Sequence, residues 1–304
     1  MRLAIKNFIL ALFAVGSLLA LGWIIASNRG FSKPEPHPFP HRFLDALEAG
    51  PKPLVVAFRG LSSEYPPNSK LAFEKAAALG PKTVLWVDAR PSGDGTWMAW
   101  SDRSMKENTD GTTWTAYTKD SDLAKLDAAY RVTYDGGKTF PFRGKGFHIE
   151  TLESILTAFP NHLFVINLRD YQEGGKDKIL KLLNDTKAGE RSLIASPEDG
   201  ILRDLREAEP TWLFGTSRAQ VTRLIMLSQL FLSASAPMRG DVFVWDKAEP
   251  VSKLNDRAWL EVQRRKMKSV VAVDDAVLGS EWATRADAII TSRPQEFSRT
   301  SSIR

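Results

Sequence analysis

The side chains able to do chemistry in this 304-residue chain cluster at the ends of short apolar runs. In order, those ends read Phe58-Arg59-Gly60, Trp86-Val87-Asp88, Ser101-Asp102 and Asn167-Leu168-Arg169. A guanidinium fork suits a phosphate or carboxylate, so Arg59 and Arg169 are substrate-binding candidates, joined by Asp102 and Trp86. Asp88 and Asp102 are the acids opposing the arginines, and Asp102 has a second reading, fixing its loop by hydrogen bonds. Arg59 has a second reading, an ion pair with one of those aspartates. Trp86, Trp97 and Trp100 either stack on a sugar or acyl group or pack in the core. The histidines, His37, His41, His148 and His162, are scattered, and His162 precedes a strand at the end away from these groups. No nucleophile elbow, glycine-rich phosphate loop or paired-histidine metal motif is present. The absence of cysteine removes disulfides, thiolate metal sites and cysteine nucleophiles.

The elements that position these groups alternate in type. Strand patterns fall at 54–58, 84–88, 97–100, 163–168, 192–195, 212–215, 242–245, 270–273 and 288–291. Helical patterns fall at 69–79, 152–159, 176–186, 197–207, 220–232, 256–267 and 279–284, with Asn68 as the expected cap of the first. Such alternation predicts a parallel sheet with helical crossovers. The link between the second and third runs, Pro91 to Gly95, is too short for a parallel crossover, and Asp94-Gly95 signals a hairpin. Eight parallel strands remain. The expected architecture is an α/β (β/α)₈ TIM-type barrel with a β-hairpin insertion after the second strand; a doubly wound open sheet is the second choice. In such a barrel the C-terminal strand ends carry function.

Residues 1–28 read as a membrane anchor. Arg2 and Lys6 precede a nearly pure apolar run from Phe8 to Ala26, long enough to cross a hydrocarbon core of ~30 Å. Poor small-x-small sites favour an uncleaved anchor over a cleaved signal. The positive-inside rule then puts the C-terminal part across the membrane, giving a single-pass protein with an extracytoplasmic domain. Residues 29–41, with proline at 34, 36, 38 and 40, read as a semi-rigid linker, and residues 42–304 as the barrel. The net charge is +5, of which residues 42–304 hold 37 basic against 35 acidic residues. That balance, with Arg264-Arg265-Lys266 as a solvated helix face, argues against a nucleic-acid partner.

Segments at 55–69, 72–76, 84–102, 151–153, 163–169 and 288–294 together resemble the glycerophosphodiester phosphodiesterase family, over about residues 53 to 297. The family pattern places a catalytic histidine where Phe58 stands, and a second one where Ser101 stands. Its metal-binding carboxylates fall at Pro67, Trp86, Asp88 and Asn167, so only Asp88 is retained, and Arg169 stands in place of a lysine. Phosphodiester hydrolysis needs a dication to polarise the phosphoryl oxygens and a general acid for the leaving alkoxide, which is worth about 10²–10⁴-fold. The resemblance therefore implies a phosphodiester-hydrolase fold, a link to lipid metabolism, and a pseudoenzyme. No metal is expected at positions where the intact family would hold Mg or Ca. The expected role is a binding or scaffolding domain. Its partners would be the membrane through the N-terminal helix, and an anionic small molecule or an envelope protein. The alternative is an active hydrolase of glycerophosphodiester or phospholipid-derived substrates using a rearranged site.

Overall fold

Strands that are apolar on both faces need a packed interior on one side and helices on the other, and the computed structural model of the protein is built in this way. It describes residues 2–30, 37–50, 52–170, 174–247, 251–273 and 281–300. The elements run α1 (Arg2–Gly30), α2 (Arg42–Ala49), β1 (Leu54–Phe58), α3 (Lys70–Ala77), β2 (Val84–Pro91), β3 (Trp97–Met98) and α4 (Asp120–Leu123). They continue through α5 (Leu152–Ala158), β4 (Phe164–Leu168), α6 (Gly175–Asp185), β5 (Ser192–Ala195), α7 (Asp199–Ala208), β6 (Leu213–Phe214) and α8 (Arg218–Gln229). The last are β7 (Val242–Trp245), α9 (Asp256–Arg264), β8 (Lys268–Ala272), α10 (Glu281–Arg285), β9 (Ala288–Thr291) and α11 (Pro294–Thr300).

The parallel strands follow the order β6-β5-β4-β2-β1-β9-β8-β7, with β3 antiparallel on β2. Between the outer strands β6 and β7 a single parallel bridge, Gly215 to Val242, nearly closes the barrel. Side-chain parity sorts the two cores. Val56, Val84, Trp86, Val165 and Leu193 pack with β7, β8 and β9 inside. Ala57, Leu85, Val87, Phe164 and Ile166 pack outward against α3, α5, α6 and α7. On β2 this parity sends residues 86, 88 and 90 inward.

Several boundaries differ from expectation for local reasons. The hairpin strand stops at Met98, because the Ala99 N–H turns to the Glu150 carbonyl at 2.8 Å. Strand β2 continues to Pro91. Asn68 does not cap α3: Ser69 does, its hydroxyl accepting from the Ala72 N–H at 3.1 Å. The helix expected at 279–284 is described as α10 from Glu281, and residues 279–280 lie outside the described part.

Helix α1 is exposed from Ile5 to Trp23 and is long and apolar enough to cross a membrane. The expected linker at 29–41 is modified at both ends. The helix runs on through Gly30, and residues 37–41 lie on the barrel; Pro34 and Pro36 are outside the described residues. The His37 ring is buried beside Asp241. His41 caps α2, a helix that periodicity did not suggest, whose Phe43 and Leu47 join the interior core.

His41 gives the fold a pH response. Its Nδ1 accepts from the Phe43 N–H at 3.2 Å, so Nε2 carries the proton and donates to the Gly189 carbonyl at 3.2 Å. Burial is the main cause that lowers its pKa below the usual 6.5, against an opposing pull from the Gly189 carbonyl. The unfolded chain therefore takes up this proton at a higher pH than the folded one. The stability linked to His41 is complete above about pH 6.5 and declines as pH falls through the window below it. Calorimetry should show the melting temperature dropping as pH falls below about 6.5. His41→Asn keeps a capping acceptor but loses the titration, so its drop should be shallower.

Candidate functional site

The turn after β1 brings the first arginine to the barrel mouth. Arg59 takes a left-handed backbone, with φ 57°, and Gly60 follows at φ 80°. Gly60 is needed here, because a Cβ would sit 2.5 Å from the Ala72 carbonyl carbon. The Arg59 N–H bonds the Trp86 carbonyl at 2.9 Å, and the Asn68 N–H bonds the Arg59 carbonyl at 3.1 Å. Asn68, also left-handed at φ 60°, accepts the Asp88 N–H on its side-chain oxygen at 3.1 Å. These bonds pin the β1–α3 turn onto β2.

At the centre lies the Asp88 carboxylate, with no solvent exposure. Arg59 Nε donates to its Oδ2 at 2.6 Å. Its Oδ1 receives the Trp86 indole N–H at 3.0 Å and the Asn167 amide at 2.6 Å, and Arg169 Nη1 stands 4.0 Å away. Burial pushes the Asp88 pKa up. The charges of Arg59 and Arg169 and the hydrogen bonds from Asn167 and Trp86 outweigh it and hold the carboxyl below its ordinary range. Of the two readings of Arg59, the ion pair with Asp88 is the one realised, and Trp86, only 1% exposed, is a packed donor.

The remaining expected residues divide. Phe58 lies 5.7 Å from the Trp86 ring, with the Arg59 guanidinium 4.6 Å over it. Pro67 is half-buried in the turn before α3. Asp102 does not face Arg59: the Ser101 hydroxyl and the Asn108 amide occupy its oxygens at 2.7 and 2.6 Å. Instead Asp170 serves the second group of arginines, pairing with Arg90 and lying 3.6 Å from Arg103. Arg90 also donates from Nε and Nη2 to the Ser101 carbonyl at 3.3 and 3.1 Å. Sequence reading missed Arg90, although inward parity on β2, carried two residues past Asp88, points to it.

A hard dication asks for several oxygen ligands, mostly anionic. These positions supply one carboxylate, already bonded by three N–H donors, and among the described residues no group of three His, Asp or Glu side chains gathers. The donor set does not fit such a cation. Beside Asn167 and Trp86 a cavity of about 190 Å³ opens on the β5–β7 side. Val221, Ile225, Val244 and Trp245 give it apolar walls, Ser196 and Thr216 add hydroxyls, and Arg218, Asp246 and Lys253 line its charged part, with Arg218 donating to Asp246 at 3.1 Å. These residues escaped the sequence reading because none stands in a charged strand-end pair like those of the first half.

A family model described as the glycerophosphoryl diester phosphodiesterase family matches residues 59–229. A glycerophosphodiester phosphodiesterase of Caldanaerobacter subterraneus is 26% identical over 164 residues, covering 52% of this chain and 64% of that protein. An uncharacterized Mycobacterium tuberculosis protein is 28% identical over 156 residues, covering 50% and 52%. The matched part thus spans between half and two thirds of these relatives. The solved glycerophosphoryl diester phosphodiesterase domain of an uncharacterized M. tuberculosis protein superposes with TM-score 0.67 at 19% identity, covering 83% of this chain and all of that one. An Oleispira antarctica phosphodiesterase in complex with the product sn-glycerol-3-phosphate gives 0.57 at 18%, covering 83% and 97%.

The Asp88 cage makes a stability prediction. Removing one partner of a buried ion pair costs ~3–5 kcal/mol. Arg59→Ala should fall near the low end, about 3 kcal/mol, because Arg169 remains within reach of the carboxylate. Arg59→Lys should recover only part of it, since an ammonium cannot reproduce the fork. Arg103→Ala, with its side chain 60% exposed, should stay within about 0.5 kcal/mol. Urea unfolding of the three variants reads all of these differences.

Proposed function

The chain belongs to the glycerophosphoryl diester phosphodiesterase family, and from that premise we propose that its barrel binds an anionic, partly apolar small molecule without hydrolysing it. The carrying observation is the Asp88 carboxylate. The one metal-ligand position that keeps an acid is bonded by Arg59, Trp86 and Asn167. Catalysis in this family rests on a dication and an acid–base pair. Neither Phe58 nor Ser101 replaces a histidine as acid.

His37 lies beside Asp241 just before β7, His41 sits with α2 against Gly189 and His162 precedes β4, all away from the C-terminal strand ends, while His148 is exposed in the segment between β3 and α5. This weighs against hydrolysis through a rearranged site. The cavity favours a binding role over a purely structural one. At about 190 Å³ it exceeds the ~150 Å³ that accommodates a benzene-sized guest. Apolar walls suit an acyl or aglycone part, and the charged lining, in which Arg218 and Lys253 outnumber the Asp246 that Arg218 bonds, keeps a positive excess that suits an anionic end. In this reading α1 anchors the protein, with the barrel on the side opposite Arg2 and Lys6.

Two measurements test the proposal. Purified protein should cleave neither glycerophosphodiesters nor aryl phosphodiesters, with or without magnesium or calcium. Metal-dependent turnover that Asp88→Ala abolishes would establish an active enzyme. Glycerol phosphate or a short-chain lysophospholipid should raise the melting temperature progressively, as native-state ligands do, and Ile225→Trp, which fills the cavity, should remove the effect. A shift that survives Ile225→Trp would place binding elsewhere.

A further inference from the structure

The excess charge of the barrel is concentrated in one segment. Between Ser217 and Lys268 the sequence has ten basic and five acidic residues, whereas the rest of residues 42–304 has 27 basic and 30 acidic. This segment contains α8 and α9, the helices flanking β7. It also exposes large apolar side chains. Met226 and Leu230, one helical turn apart, are 61% and 66% exposed, Phe231 is 69% exposed, and Leu260 on α9 is 59% exposed. The Arg257 guanidinium stacks 3.9 Å from the Phe231 ring and joins the two helices into one surface. Arg223 on α8 is exposed as well, one turn before Met226.

An apolar strip edged by arginines is the composition of an interfacial membrane surface, in which the rings and aliphatic chains enter the headgroup boundary and the cations meet anionic lipid. The position of α1 identifies the occupant. This apolar helix lies against the turn Ser233–Ser235, which begins two residues after Phe231. A membrane held by α1 is therefore the nearest surface to the strip. We propose that the α8–α9 face is a second membrane contact, by which the barrel lies against an anionic bilayer through Met226, Leu230, Phe231 and Leu260, with Arg223 and Arg257 on lipid headgroups.

The chain has no cysteine, so a single introduced one carries a unique spin label. The full-length protein is reconstituted into vesicles of phosphatidylcholine and phosphatidylglycerol, labelled at Leu230→Cys or, as control, at exposed Glu74→Cys on α3. Helix α3 links β1 to β2, across the barrel from α8. Power saturation should show the Leu230 label reached by oxygen and shielded from a water-soluble nickel chelate, with the Glu74 label showing the reverse. The contrast should be lost with phosphatidylcholine alone and in the Arg223→Glu, Arg257→Glu background. Equal chelate access at both sites overturns the proposal, and so does dipolar broadening that reveals a second copy on the strip. Insertion that persists in neutral vesicles overturns the role given to the arginines.

Discussion

The mouth of this barrel is organised around the cost of burying one carboxylate. An ion taken out of water loses several kcal/mol even after the protein relaxes, and Asp88 is wholly buried. Its charge is answered from three directions: Arg59 at the end of β1, Trp86 on its own strand, and Asn167 on β4. Each partner comes from a neighbouring position in the strand register, where Phe58 pairs with Trp86 and Asp88 with Asn167. The cage therefore ties β1, β2 and β4 together at their C-terminal ends, and the left-handed turn at Arg59 persists because the ion pair and the Asn68 bond both hold it.

The residues at the ligand positions that the family resemblance implies are mutually consistent. A carboxylate at 86 or 167 would be an acceptor, which a dication satisfies. The indole and amide found there are turned as donors toward Asp88. A site built from acceptors around a cation has the opposite polarity to one built from donors around an anion. Reverting a single position would set a second acid against Asp88 with only Arg59 and Arg169 to share. The altered residues work as a set, which is why the surviving aspartate reads as structural.

The barrel was legible because its cause is local. Apolar runs, amphipathic helices and the Asp94-Gly95 turn each state their own geometry. Asp88, Trp86 and Asn167 were legible as positions, but whether Arg59 would face a ligand or Asp88 depended on a distance between strands, which no spacing in one chain encodes. Asp102 carried two readings for the same reason, and its bonds from Ser101 and Asn108 are those of the loop-fixing one. Helix α2 was missed because it has only eight residues, although Phe43 and Leu47 stand four apart on one face. The cavity depends on residues from β2, β4, β5, β7, α8 and the loop after β6, and only the assembled barrel brings them together.

The two halves of the mouth differ in a way that follows from closure. On the β1–β2–β4 side, ion pairs and continuous ladders fill the space. On the other side β6 has only two residues, and one bridge and a few loop bonds join it to β7. Gly215 and Gly240 permit that close approach; a Cβ on either would meet Val244 at 2.7 Å or the Thr216 nitrogen at 2.5 Å. A thin seam with small residues leaves room between α8 and the end of β7, so the cavity forms there and not over the strand-end carboxylate. The same helix carries exposed Met226, which also lines the cavity. The open part of the mouth thus lies beside the basic, apolar face, and a ligand carrying an acyl chain would meet that face before it reached Trp86.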